Sequence, residues 1–270
     1  MKTRSPMKKL AAMVVAASAL VGCSVNPPST AKQPMIPPAS ALSAPSFQVL
    51  VEADEETASE HKKKMAEFLA QLALSDAQKT QLKGVIKGAF ERAKPIHTEM
   101  KPLITAPEID RTALRAAIEV AMKADAAQDA QTMEEVKQVL NPAQRTLIAD
   151  KLVEMAGKME DPHMKLIDTM MDKAAEQVTL SATQQEAFSQ LKSAMRDFWM
   201  TNRGAYYKAM AAHMKSGSQA DLQAEFARLN EGIPTDAMVT FMASLDQSQR
   251  QKLVAWKEGL MERIASKLSE

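Results

Sequence analysis

The sequence predicts an all-α protein, and three observations carry that prediction. Glycine is scarce, with 8 residues in 270, and aromatic residues make up 4% of the chain. Ala, Leu, Met, Gln, Glu and Lys dominate instead, and these lose little conformational freedom in a helix. From about residue 65 almost to the C-terminus, apolar residues return every three or four positions, the period of one helix face, and strand-type alternation is nowhere sustained.

The first segment is read as an export signal rather than as part of the fold. Lys2, Arg4, Lys8 and Lys9 make a positive start, and Leu10 to Gly22 is an uncharged run of small and apolar residues. That run is too short to span a bilayer as a helix. It ends in Leu20-Val21-Gly22-Cys23, which resembles the bacterial lipobox. The resemblance implies cleavage after residue 22 and a diacylglyceryl group on the Cys23 thiol; the other reading is an ordinary thiol following an A-x-A-type cleavage site. Cys23 is the only cysteine, so no intramolecular disulfide can form, which accords with a lipidated residue. Each buried acyl methylene contributes about 0.8 kcal/mol, so a multiply acylated Cys23 would hold firmly to a membrane. In enteric-type lipoproteins an Asp after the cysteine retains the protein in the inner membrane. By resemblance to that rule, Ser24 implies the periplasmic side of the outer membrane.

Residues 23–53 form the second segment. Pro27, Pro28, Pro34, Pro37, Pro38 and Pro45 stand among Ser, Thr and Ala, the composition of an extended tether. Removing residues 1–22 takes away four basic residues and no acid, leaving 30 Lys and Arg against 33 Asp and Glu, a net charge of −3. No basic excess argues for nucleic acid, and no second apolar run of membrane-spanning length follows. The 248 residues from Cys23 to Glu270 suffice for one large or two small cores.

Helical faces then follow in order. Met65, Phe68, Leu69 and Leu72 mark the first. Leu82, Val85, Ile86, Ala89, Phe90 and Ala93 form the clearest. Leu114, Ile118, Ala121 and Met122 make the next, then Leu147, Ile148, Leu152, Met155 and Met159. Later faces are Ile167, Met171, Ala174 and Val178; Phe188, Leu191, Met195 and Phe198; and Leu253, Trp256, Leu260 and Ile264. Breaks are predicted at Pro102 to Pro107, Asp161-Pro162, Gly217, and Gly232 to Pro234.

One five-residue pattern occurs four times. Leu74-Ser75-Asp76-Ala77-Gln78 is matched by Leu140-Asn141-Pro142-Ala143-Gln144, by Leu180-Ser181-Ala182-Thr183-Gln184 and by Leu245-Asp246-Gln247-Ser248-Gln249. Each copy reads as a helix start. Ser75, Asn141, Ser181 or Asp246 caps the first turn, and the Gln three residues on reaches back to the cap. Pro142 then occupies the first helical position, which suits proline. The leading Leu would form half of a hydrophobic staple, but its usual partner position holds Lys79, Arg145, Gln185 or Arg250, so the Leu is expected to pack on another helix.

The copies are spaced by 66 residues in the first pair and 65 in the second, with 106 between the pairs. Outside the motif Met65 matches Met171, Leu72 matches Val178, Leu82 matches Phe188, Val85 matches Leu191 and Ala89 matches Met195. At an offset of 105, Met133 matches Met238 and Val136 matches Phe241. The pattern is a tandem duplication of one helical unit, spanning 54–160 and 161–270.

On these residues the chain resembles the Spy/CpxP family of periplasmic proteins, whose hallmark is a Leu-Thr-x-x-Gln motif occurring twice per helical domain. Each copy here has Ser, Asn or Asp in place of Thr, all competent caps. The resemblance covers both halves. It implies antiparallel helical hairpins arranged as a cradle, with two Spy-like units in tandem building a pseudo-dimer within one chain, possible as a monomer. It further implies an ATP-independent chaperone, a holdase, whose partners are unfolded or partly folded envelope proteins. Some relatives restrain envelope-stress sensor kinases or sense metals, so the alternative is a stress- or metal-responsive regulatory adaptor.

No enzyme constellation emerges: the one cysteine is assigned to lipid, and there is no Gly-rich phosphate loop. His61, His97, His163 and His213 lie in ordinary helical contexts, and no cofactor is expected. Met155, Met159 and His163 are spaced i, i+4, i+8 with Met164, Met170 and Met171 nearby, and soft thioethers suit Cu(I). Pro162 interrupts that face, and a Met stripe at helical spacing is more often core, so no metal site is assigned. His97-x-Glu99 carries less still. Of the 20 methionines three fall in residues 1–22, and the other 17 suit either an adaptable binding surface or a helical core. Phe198, Trp199, Tyr206 and Tyr207 share one long helix and cannot all face a single narrow stripe. Some are expected to be exposed or to contact the first half, and client contacts are expected on them and on the counterpart helix around Ile86 to Met100. The run Lys62-Lys63-Lys64 reads as a solvated face.

Overall fold

The computed structural model describes residues 67–68, 70–157 and 162–269. The export signal, Cys23, the tether and Lys62-Lys63-Lys64 lie outside the described residues. A helical segment ends at residue 72, and eight further helices follow: α1 (Asp76–Ile104), α2 (Arg111–Val139), α3 (Pro142–Gly157), α4 (Pro162–Glu176), α5 (Ala182–Lys215), α6 (Gln219–Asn230), α7 (Thr235–Ser244) and α8 (Gln247–Ser269). The described residues contain no strand, and the protein is all-α. None of these helices is long and apolar enough to cross a membrane.

Helix ends follow local chemistry. Before α1 the chain reverses through Ala73, whose φ of 46° is left-handed, a conformation that strains an alanine. Four of the predicted starts coincide with the motif copies. Pro162 opens α4 as expected of a first-position proline. The predicted break at Pro102 to Pro107 begins later than the prolines suggest, because Pro95 and Pro102 both lie inside α1. Each proline forfeits its own ladder bond and crowds the carbonyl four residues back, yet the helix continues until Thr105, whose N–H and hydroxyl both donate to the Lys101 carbonyl, at 2.9 and 2.7 Å. Gly217 separates α5 from α6 through close approach. A Cβ there would lie 2.8 Å from the His213 Cα.

α1 and α2 run antiparallel, as bonds from Gln78 to the Val139 carbonyl and from Gln128 to the Ala89 carbonyl show. In the second half α6 and α7 together return along α5: the Tyr206 ring packs on Phe226, and the Phe188 ring on Phe241. Among the described residues the expected units 54–160 and 161–270 are not separate bodies. α3 packs along α5, and α2 packs against α6 and α7.

Two cores result, and each draws on both repeats. The first gathers Leu82 and Ile86 of α1, Met133 and Val136 of α2, Ile148 and Leu152 of α3, Met210 and Met214 of α5, and Leu222 and Phe226 of α6. The second gathers Met100, Leu114, Ile118 and Met122 from the first repeat with Met171, Leu191, Met195, Met238 and Phe241 from the second. α1, α2 and α5 therefore each run through both cores, and neither core is complete without the other repeat.

Candidate functional site

The four motif copies converge into two matched structures. Each N-cap backbone N–H donates to the Oε1 of the Gln three residues on: Ser75 to Gln78 at 3.0 Å, Asn141 to Gln144 at 3.0 Å, Ser181 to Gln184 at 2.9 Å, and Asp246 to Gln249 at 2.9 Å. In return each Gln backbone N–H donates to the cap side chain, at 2.8–3.3 Å. All four are closed capping boxes.

The Gln amides then pair across the molecule. Gln78 Nε2 donates to Gln144 Oε1 at 2.7 Å and Gln144 Nε2 to Gln78 Oε1 at 3.2 Å. Gln184 and Gln249 exchange the same two bonds at 2.8 and 3.1 Å. The second proton of each Nε2 goes to a backbone carbonyl just before a motif: Gln78 to Val139, Gln144 to Leu72, Gln184 to Ser244 and Gln249 to Thr179. Every amide donor and both acceptor sites of each Oε1 are used. This explains why the residue three after the cap is Gln. Glutamate would complement the helix dipole better but could donate nothing, leaving two carboxylates face to face. Sequence reasoning found the local caps and missed the pairing. The signal lay in the uniform choice of Gln at near-equal separations of 66 and 65 residues.

The leading leucines fill the cores beside these clasps. Leu74 and Leu140 are buried in the first and Leu245 in the second, with Leu180 partly buried against it. At the second clasp Arg250, 2% exposed, adds a cross-repeat anchor. Its guanidinium donates to the carbonyls of Ile104, Leu245, Ala106 and Pro107, holding the turn after α1 onto the start of α8. Burial pulls its pKa below the ordinary arginine value, against the pull of Asp246.

Of the two outcomes expected for the aromatic residues of α5, exposure or contact with the first half, Trp199, Tyr206 and Tyr207 take the second, packing in the first core with Leu82, Ile86 and Ile148. Tyr207 is 3% exposed, and Trp199 stacks on Tyr206 with ring centroids 5.7 Å apart while meeting Tyr207 edge-on at 6.2 Å. The Tyr206 hydroxyl donates to Asn230 Oδ1. Phe198 is half-buried and lies 3.5 Å from where a Gly232 Cβ would stand. On the counterpart helix Ile86 and Met100 are core residues. The rings are engaged internally because α6 and the first repeat supply a second packing face for α5. An exposed client platform on Tyr207, Ile86 or Met100 is ruled out by their burial.

Sequence reasoning also missed a polar layer between the cores. α2 turns Asp125, Gln128, Asp129 and Thr132 inward, all at most 3% exposed, and Arg203 of α5 is also buried, at 8%. Gln128 Nε2 donates to the Ala89 carbonyl at 2.8 Å, and Arg92 donates to Thr132 Oγ1 and Glu135. The signal was legible: the inward positions Leu114, Ile118 and Met122 continue at helical spacing through Asp125, Asp129 and Thr132 to Val136.

His213 is 1% exposed at the α5–α6 turn. Met155 packs against the first core and Met171 is buried in the second. Met159 and the side chains of His97, Glu99, His163, Met164 and Met170 lie outside the described ones. No group of three or more His, Cys, Asp or Glu side chains among the described residues is placed to hold a metal ion.

The features described define an all-helical protein whose helix starts are fastened in pairs by glutamine. The chain matches no protein-family model, no curated protein and no solved structure.

Proposed function

We propose that this protein is an ATP-independent holdase, anchored by a lipid on Cys23 to the periplasmic side of the outer membrane, that binds unfolding envelope proteins. The observation that carries this reading is the duplicated glutamine clasp. It accounts physically for the motif on which the family resemblance rests, and it occurs twice in one chain, as a single-chain pseudo-dimeric cradle requires. Large apolar side chains on the described surface stand singly, at Val120, Val153 and Met200, each about half exposed. Such a surface favours many weak contacts over one apolar pocket. The slightly acidic mature chain would not draw acidic clients electrostatically.

The test is light scattering from an aggregating client mixed with the unlipidated mature chain at stoichiometric amounts. Suppression supports the holdase, and none at low salt argues for the regulatory adaptor. Sedimentation showing an obligate dimer would overturn the single-chain cradle. Retention of membrane association by Cys23→Ala would overturn the lipid anchor.

A further inference from the structure

His213 closes the C-terminal end of α5 where the first core meets the turn into α6. Its Nδ1 lies 3.2 Å from the Ser218 carbonyl, which can only accept, so that nitrogen carries the proton. Its Nε2 lies 3.2 Å from Glu134 Oε2 on α2, yet makes no hydrogen bond with it. Among the described residues a second proton on the ring would be buried with only that poorly aligned carboxylate to face it. It would also stand near a second cation, since Lys137 Nζ is 3.4 Å from the same Glu134 oxygen and donates to the Gly217 carbonyl at 2.7 Å.

The turn has little room to adjust. Ser216 and Gly217 N–H groups both donate to the Ala212 carbonyl, and Gly217 sits against the His213 backbone so closely that no Cβ would fit. Ser218 caps α6 through Asp221, and Lys215 of α5 is paired with Asp150 of α3. The charged groups that act on the ring are Lys137 and Glu134, both from α2. Next to it Met214, Leu222 and Phe226 are almost wholly buried.

We propose that His213 is an acid-sensitive latch: a second proton on its ring releases the α5–α6 turn and loosens that end of the first core. Burial, followed by Lys137, holds the His213 pKa below its ordinary 6.5, and the Ser218 carbonyl and Glu134 offset this only in part. The folded value lies below the unfolded one. The stabilisation is therefore present above about pH 6.5 and is lost as pH falls through the folded value. The latch needs no client and stands apart from the holdase reading.

The test combines an NMR titration of the histidines in the mature chain with hydrogen exchange over residues 213–226, at pH 7.5 and 5.0 and corrected for intrinsic rates. His213 is expected to titrate below 6.5. Protection over 213–226 should fall several-fold more in the wild type than in His213→Asn, which keeps a donor for Ser218 but cannot be charged. Titration at or above 6.5, or equal loss of protection in the two proteins, overturns the proposal. If His213→Asn does not fold, Glu134→Gln replaces it. Loss of the carboxylate must lower the His213 titration further, and an unchanged titration overturns the latch.

Discussion

The two clasped ends are built from equivalent stretches of the repeat, yet they are secured differently. At the first end α2 runs unbroken past the polar layer, α3 lies close along α5 with the Ala156 carbonyl 3.6 Å from the Cβ position of Gly204, and Gln144 is buried. At the second end the stretch equivalent to α2 is split into α6 and α7 at residues 231–234, and Arg250 ties the start of α8 to the turn after α1. Its core is richer in methionine, with Met100, Met122, Met171, Met195 and Met238 all buried. The two ends share their helix starts and differ in their helix middles. The reason is physical: each motif Gln bonds its own cap, its partner and a distant carbonyl, so one change disturbs three contacts, whereas a helix middle can exchange packing residues singly.

The largest effect tests whether the ends unfold together. Phe226→Ala in the first core should cost about 3–5 kcal/mol, and Leu191→Ala in the second about 2–5 kcal/mol. Because α1, α2 and α5 pass through both cores, each variant should shift a single urea transition seen by far-UV circular dichroism. Two separated transitions would show the ends to be independent and would undo the interleaved description.

Arg250 and its repeat equivalent Arg145 sharpen the comparison next. Arg250→Ala leaves four carbonyls to find water or other donors and should cost about 2–4 kcal/mol, since each buried polar group left unsatisfied costs about 1–3 kcal/mol. Arg145 is only partly buried and its Nε has no hydrogen-bond partner among the described residues, so Arg145→Ala should cost less than about 1 kcal/mol by the same reasoning. Thermal melts of the two variants check the difference. Equal losses would mean that Arg250 is not the feature distinguishing the second end.

Sequence reasoning reached the fold class because composition and a 3.6-residue period are local properties. It located the caps because a capping box closes within three residues. It placed the break at Gly232 to Pro234 because glycine and proline act on their own backbone. What it could not reach depends on which face meets which. The aromatic residues of α5 are too numerous for one stripe, and the sequence leaves open whether the surplus is exposed or meets the first half; α6 and the first half give α5 the second packing surface that decides it. The polar layer differs: Asp125, Asp129 and Thr132 lie on the same helical face as the apolar Leu114, Ile118, Met122 and Val136, so their burial was legible in the spacing, but polar residue types do not mark a core by themselves.

The smallest expected difference lies in the clasps themselves. Gln144→Ala removes a buried amide that bonds Gln78, the Asn141 N–H and the Leu72 carbonyl, and should cost about 2 kcal/mol. Gln249→Ala removes the equivalent bonds from a more solvated site and should cost about 1 kcal/mol, because water can replace what is lost there. Denaturant midpoints of the single variants and of Gln78→Ala/Gln144→Ala distinguish a true pair from two independent caps. If the amides act as a pair, the double variant should lose less than the sum of the singles, since each single already breaks the shared bonds. Strict additivity would reduce the motif to four separate helix starts and leave the uniform choice of glutamine without a cause.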